Sequence, residues 1–518
     1  MNPNIKIFDS LIASHLLNEN NPAGLKYLAT AFLDVPHQNI KDWGDVCGNV
    51  HSQEFYDYAV SDSTWAWQLY ELFSPRIERE GLHHVFYDIE MPFVFCLQDM
   101  EINGVLLDVD KLTELRIKLI KQVETLQIKL CELAEIDYFY QYLFDRTKTL
   151  ICEFNFNSPQ QLSKLLREKF TLDLGRPSES GYCSVDSKTL NKHKANEFVK
   201  TLIEYRQVLS FCNKFVNVLP TFIKPDGRIH TSFRNTLVTG RLSSSSPNLQ
   251  QLPKDNTGPV KIRECIVSPP GKSLICCDYS GQELRVLAEE SGDMTMIEAF
   301  YKNQDLHLTT ANKFFNLNIP DEVLIVGHPL HEETKKKYKT ERDKSKVINF
   351  GISYGKTAYG FSKDWAISQK EAQRFIDKYF EGFPDVKKRI DRCNLDLRRQ
   401  GYVVNLAGRR RRFPGYNSAN NYTRAKMERQ AFNYLIQSFS ADMMKSGANK
   451  VRQLIISHPE WECKMLLSIH DEYIYEINDE CVKEAVPLIK REIESAVQMS
   501  LPLIVDIGSG KNYSESKP

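Results

Sequence analysis

SLICCDYS at residues 273–280 and KMLLSIHDEYIYEI at residues 464–477 decide how this chain reads. Both are apolar runs that end or break at acidic residues. The first lacks the alternation of a half-solvated strand, so it reads as a strand buried on both faces that delivers Asp278 at its end. The second reads as two β-rich runs flanking His470, Asp471 and Glu472. A lone aspartate at a strand end is more often a turn or cap residue. Two of them side by side would offer the hard oxygen ligands that Mg²⁺ takes from proteins. Two such ions about 4 Å apart can neutralise a triphosphate and make a hydroxyl nucleophilic.

Outward from these strands the pattern is mainly helical. Residues 293–400 are mostly helical, with basic clusters at Lys335 to Lys339 and, further on, at Arg409 to Arg412. Residues 110–135 set Leu112, Leu115, Leu119, Val123, Leu126 and Leu130 at spacings of three and four, which predicts a long amphipathic helix. The pattern weakens around residues 155–190 into Ser, Pro, Gly and Asn clusters, and helical periodicity returns in EFVKTLIEYRQVLSFCNKFVNVL at 197–219. Near the start, STWAWQLYELF at 63–73 puts Trp65, Leu69 and Leu72 on one face.

At 518 residues the chain exceeds one hydrophobic core of roughly 250–300 residues, so two or more domains are expected. Its 67 basic and 67 acidic side chains cancel, so any polyanion site must be local. Twelve cysteines without a CxxC pair read as reduced thiols. No apolar run approaches the roughly 18 residues of a bilayer span, and MNPNIKIFDS lacks a signal pattern. The expectation is a soluble protein, cytoplasmic or organellar, not secreted and with no membrane partner.

A more specific constellation lies in ERDKSKVINFGISYG at 341–355, where Arg342, Lys346, Phe350 and Tyr354 are each four apart. On a helix they form one stripe, cationic at one end and aromatic at the other. Guanidinium and ammonium suit phosphates, and rings suit a sugar and base. On pattern alone, the more economical reading is an amphipathic helix with Phe and Tyr in the core and solvated Arg and Lys.

Three stretches then resemble motifs A, B and C of the family A DNA polymerases, the bacterial polymerase I type: DYSGQELRVLAEESGD at 278–293, RDKSKVINFGISYG at 342–355 and SIHDEYIYE at 468–476. They occur in the family's order. The likeness extends through DGRIHTSFRNTLVTGRLSSSSPNLQQLP at 226–253, GRRRRFPGYNSANN at 408–421 and RQAFNYLIQSFSADMMK at 429–445. It implies an α+β right-hand fold of palm, fingers and thumb with a truncated exonuclease-like N-terminal segment. The implied divisions are an exonuclease-like remnant at 1–88, palm lead-in and thumb at 89–224, palm at 225–305, fingers at 306–404 and palm again at 405–518.

The resemblance implies that the chain extends a primer 3′ end with dNTPs on a DNA template, with two Mg²⁺ ions as cofactors. Asp278 and Asp471 match the metal-binding aspartates, with the Tyr279 carbonyl completing a metal shell. Arg342 and Lys346 match the grip on the triphosphate, Lys346 also donating a proton to pyrophosphate, and His307 in DLHLTTAN matches a further phosphate contact. Phe350 and Tyr354 match rings that pack against the nucleotide sugar and the templating region, and Glu283 with Tyr354 matches the exclusion of a ribose 2′-hydroxyl. Arg241, Asn433 and Gln437 match contacts to primer and template, and Glu472 an auxiliary acid near the metals.

The chain also departs from the family. FDSLIASHLLN and YDYAVSDSTWAWQLYE resemble the later half of the 3′-to-5′ exonuclease domain, with Tyr58 and Asp62 at its third motif, but the first two motifs are missing. Tyr58 and Asp62 therefore read as structural remnants, and no proofreading is expected unless a separate chain supplies the other half. Gly281 stands where many members have Gln. The stretch at 316–341 is longer than expected, and its lysines read as solvated. The competing reading is a non-catalytic primer-template-binding or accessory protein, against which Asp278, Asp471, Arg342 and Lys346 argue.

Overall fold

The computed structural model describes residues 7–36, 51–142 and 148–518. At its centre is an antiparallel sheet of four strands, in the order Lys464–Ile469, Glu472–Asn478, Lys272–Tyr279 and Val505–Gly510. Asp278 lies opposite Glu472 on one side and Asp506 on the other. Ile275, Cys277, Tyr473 and Tyr475 face one large core, whereas Leu274, Cys276, Leu467 and Ile474 face a second. Both faces are dry, which is why 273–277 cannot alternate.

The first core is roofed by the 37-residue helix Asn421–Ser457, whose buried residues run from Ala431 to Val451. Residues 294–400 contribute helices, among them Leu306–Phe315 and Lys339–Ser353. Inside 316–341, Ile319, Val323 and Leu324 pack on Leu308, and Lys336 and Lys337 are exposed, as the solvated reading expects.

The second core holds the helix Val109–Ala134 against Glu197–Phe211. Leu112, Leu119, Leu126 and Leu130 are buried, and Leu115 and Val123 partly so. Two elements here lack a strong apolar signature. The helix Pro159–Glu168 starts on a Ser158 cap with proline in its first turn, and the strands Tyr138–Tyr142 and Lys148–Cys152 pair as a hairpin.

The N-terminal segment has its own small core, where the helix Gln53–Arg79 buries Trp65, Leu69, Phe73 and Ile77. Leu72, expected on that face, is instead 37% exposed. Both Leu72 and Phe73 are helical neighbours of Leu69, and the core takes the row at spacing four. All eleven described cysteines are free thiols. No described helix is long and apolar enough to cross a membrane.

The arginine run joins the N-terminal segment to the rest. Arg409 is buried against Glu90 and Asp442, its Nε donating to Asp442 at 2.9 Å. Arg412 pairs with Glu19 at 3.1 Å and Glu80 at 2.6 Å, Arg410 with Glu80 at 3.4 Å, and Arg411 with Glu19 at 3.6 Å. This cationic stretch is therefore an internal fastening.

Candidate active site

The helix Lys339–Ser353 buries Ser345, Ile348, Asn349 and Ile352, the face next to the four-apart stripe. Lys346 is exposed, Phe350 half-buried and Tyr354, the residue capping the helix, 45% exposed. Tyr354 stays out of the core, and Phe350 packs against its edge without being buried in it. Instead Lys346, Phe350 and Tyr354 line a cavity of about 440 Å³ together with Arg241, Glu283, His307, His470 and Asp471. The rings of Phe350 and Tyr354 stack 6.4 Å apart, and His307 lies 5.6 Å from Phe350.

Asp471 occupies the two-residue turn between Lys464–Ile469 and Glu472–Asn478, where His470 takes a left-handed backbone at φ 55°. Such a conformation in a residue other than glycine costs free energy and fixes the turn at the cavity floor. The Asp471 carbonyl accepts from the Tyr279 amide at 3.2 Å, tying the turn to the end of the Asp278 strand. Tyr279 itself is buried, its hydroxyl donating towards the Ile493 carbonyl at 3.4 Å.

Burial, reinforced by the charge of Asp278, pushes the Asp471 carboxyl up to about 6. Burial also raises Asp278, with the Lys517 ammonium working against that. A carboxylate whose charge is disfavoured by burial and by Asp278 is a donor that a hard divalent cation relieves. Among the described residues no three or more His, Cys, Asp or Glu side chains form a metal cage. Magnesium does not need one, because it commonly takes one or two carboxylates and fills its shell with water and phosphate.

Arg342 does not line the cavity directly. Its Nε donates to Asp305 Oδ2 at 2.8 Å, while Asp305 Oδ1 caps the helix Leu306–Phe315 by accepting from the amides of His307 and Leu308. Burial lowers His307 to about 4, so the imidazole is neutral at pH 7. Asn349 Nδ2, which can only donate, lies 2.9 Å from His307 Nδ1 and so leaves the proton on Nε2. Asp305 and Asn349 were not singled out from the sequence. An aspartate capping a helix is a readable signal, but its second bond to Arg342 spans 37 residues.

Glu283, on the helix Gln282–Ser291, accepts from Arg241 with one oxygen and from the Tyr354 hydroxyl at 2.7 Å with the other. Gly281 begins that helix at φ 62°, with open space around its Cα. Asn433 and Gln437 sit half-buried on the helix Asn421–Ser457 and do not line the cavity. Asn433 Oδ1 is buried without a hydrogen-bond partner among the described residues. Glu472 is buried beside Asp278, accepting from Tyr513 at 2.9 Å. At the N-terminal end, Lys26 pairs with Asp62, and its ammonium lies 4.1 Å from the Tyr58 ring centre and 4.6 Å from that of Trp65.

The family model of DNA polymerase family A matches residues 133–515. DNA polymerase I of Streptococcus pneumoniae is 34% identical over 446 residues, covering 85% of this chain and 47% of that protein. DNA polymerase I of Borreliella burgdorferi is 32% identical over 521 residues, covering 99% and 54%. The thermostable DNA polymerase I of Thermus caldophilus is 34% identical over 442 residues, covering 85% and 49%. The chain thus spans about half the length of these relatives. Among solved structures, the polymerase domain of Pol1 from M. smegmatis, in complex with DNA primer-template and dNTP, superposes with a TM-score of 0.82 at 25% identity, covering 98% of this chain and 82% of that one. The fold is the α+β right-hand polymerase architecture, and the chain belongs to DNA polymerase family A.

Proposed function

We propose that this chain extends a primer 3′ end with dNTPs on a DNA template, releasing pyrophosphate. The observation that carries this reading is the orientation of the Arg342 to Tyr354 helix, which turns Lys346, Phe350 and Tyr354 into the cavity that also holds Asp471. Two Mg²⁺ ions held by Asp278 and Asp471, with the Tyr279 carbonyl, would activate the primer hydroxyl and neutralise the triphosphate. Lys346 and Arg342 grip the phosphates, and Lys346 delivers a proton to the leaving pyrophosphate. Neutral His307 donates a hydrogen bond from its Nε2–H to a phosphate oxygen.

Phe350 and Tyr354 take the sugar and base. Glu283, fixed by Arg241 and Tyr354, fills the space beneath the sugar where a 2′-hydroxyl would lie. Release of Arg241 from Glu283 frees its guanidinium for the primer terminus, and Asn433 and Gln437 meet the nascent pair. In this reading residues 89–224 are palm lead-in and thumb, 225–305 and 405–518 palm, and 306–404 fingers. Proofreading is absent, because the Lys26 ammonium already neutralises Asp62.

The test is primer extension with dNTPs, with rNTPs and on an RNA template. Extension by dNTPs on DNA is expected. A chain that binds primer-template but adds no nucleotide in Mg²⁺ would be an accessory protein instead.

A further inference from the structure

Beyond the last strand, residues 511–518 fold back across the sheet instead of leaving it. The Lys511 carbonyl accepts from the Ser268 amide at 3.0 Å, and the Tyr513 amide donates to Ile266 at 2.9 Å. Ser516 is fully buried, with its hydroxyl on the Tyr513 carbonyl at 3.1 Å. Two glycines make room for this return. A Cβ on Gly508 would stand 2.5 Å from the Ser516 carbonyl oxygen, and one on Gly510 would stand 2.5 Å from Glu515 Cβ. Neither glycine has a left-handed backbone, so close approach alone accounts for them.

The returning segment brings Lys517 to the carboxylates at the Asp278 end of the strand. Its Nζ lies 3.2 Å from Asp278 Oδ2 and also bonds Glu472 Oε2. Glu472 is fully committed around it. Tyr513 donates to its other oxygen at 2.9 Å, Arg263 stands 3.8 Å away, and the Cys276 thiol lies 3.1 Å from Oε2. The Arg263 guanidinium covers the Tyr513 ring at 4.6 Å, which closes this side of the site. Glu472 is thereby occupied by protein partners, whereas among the described residues Asp278 is held through one oxygen.

We propose that Lys517 is a positioning residue for the polymerase site: anchored on Glu472, its ammonium holds Asp278 by one oxygen and lowers the site's affinity for a divalent cation. This rests on the reading of Asp278 and Asp471 as cation ligands. Glu472 then acts as the seat of Lys517 and not as a ligand. A fixed positive charge a few ångströms from Asp278 repels an incoming cation, and it prevents the carboxylate from closing on one ion with both oxygens.

The experiment is Mn²⁺ binding to the full chain without DNA or nucleotide, read from the electron paramagnetic resonance signal of free Mn²⁺. Lys517→Met, which keeps the aliphatic stem, should bind Mn²⁺ about fivefold to tenfold more tightly than wild type, the order expected for removing one partly exposed cation beside the site. Lys517→Arg should restore wild-type affinity. Extension by Lys517→Met at saturating Mg²⁺ should fall several-fold, because Asp278 is no longer held. Asp278→Asn controls for the site and should weaken binding in both backgrounds.

Unchanged or weaker Mn²⁺ binding in Lys517→Met, with Asp278→Asn still disrupting it, overturns the role of Lys517 alone. Binding that ignores Asp278→Asn overturns the cation site and this inference with it. As a second variant, Gly508→Ala lifts the segment without altering Lys517. It should reproduce the tighter Mn²⁺ binding in protein whose melting curve remains cooperative, and wild-type affinity in such protein also counts against the role.

Discussion

Glu283 has both carboxylate oxygens engaged, one by Arg241 and one by Tyr354, and only 11% of its side chain is exposed. Shortening it releases both partners and, under the proposed reading, opens volume beneath the nucleotide sugar. Glu283→Ala is expected to lower the preference for dNTP over rNTP by about tenfold or more in single-nucleotide incorporation. An unchanged ratio would move ribose exclusion elsewhere in the cavity. Asp471 is held at a cost, since burial and Asp278 both oppose its charge. Asp471→Asn should therefore abolish extension while leaving primer-template binding intact, and it should stabilise the protein in EDTA by about 1–2 kcal/mol. Guanidinium unfolding with and without EDTA measures this. A variant less stable in EDTA than wild type would mean that the carboxylate is satisfied by protein partners.

At the scale of elements, the buried knot of Glu90, Arg409, Asp442 and Lys445 ties the chain just after the N-terminal segment to the arginine run and the helix Asn421–Ser457. Lys445 donates to Glu90 at 2.7 Å, and Asn235 takes the other oxygen at 2.7 Å. Burial by itself would raise Glu90, but Lys445 and Arg409 outweigh it and hold the carboxyl at about 2. Because this value lies below the ordinary 4.5, the stabilisation is complete above about 4.5 and is lost as pH falls towards 2. Glu90→Gln strands the buried Lys445 ammonium and leaves Arg409 on Asp442 alone, and should cost about 3–5 kcal/mol at pH 7. The gap between the two unfolding midpoints should narrow as pH drops below 4.5; a constant gap would show that Glu90 contributes by shape.

What could be read from sequence follows the same division of scales. The stripe from Arg342 to Tyr354 was legible because one helix sets its spacing, although only the fold reveals that Lys346, Phe350 and Tyr354 face a cavity and Arg342 does not line it. Asp278 and Asp471 were legible because each ends or interrupts an apolar run. The strand Val505–Gly510 was not, because its glycines answer to a segment returning across it. Lys517 and Asp305 carry no local sign of partners that lie 239 and 37 residues away. Leu72 and Phe73 could not be separated until the neighbouring helices fixed which row is inside.

Over the whole molecule, the family resemblance and the N-terminal segment point in different directions for proofreading. Two-metal hydrolysis needs several fixed carboxylates, yet the Lys26 ammonium sits among Tyr58, Asp62 and Trp65. The purified chain is expected not to shorten a mismatched primer in Mg²⁺ when dNTPs are withheld. Degradation that disappears in Asp62→Ala would mean that an exonuclease site has been assembled here; degradation that persists would point to another nuclease. The central sheet carries a consequence of another kind. The strand ending at Asp278 finds its two neighbours only at residues 472–478 and 505–510. On the ribosome, an apolar strand with two open edges must therefore wait while the helices of the following two hundred or so residues emerge, a condition that invites aggregation. Nascent chains arrested between these strands should recruit chaperones most strongly, and yield on refolding from denaturant should fall as protein concentration rises.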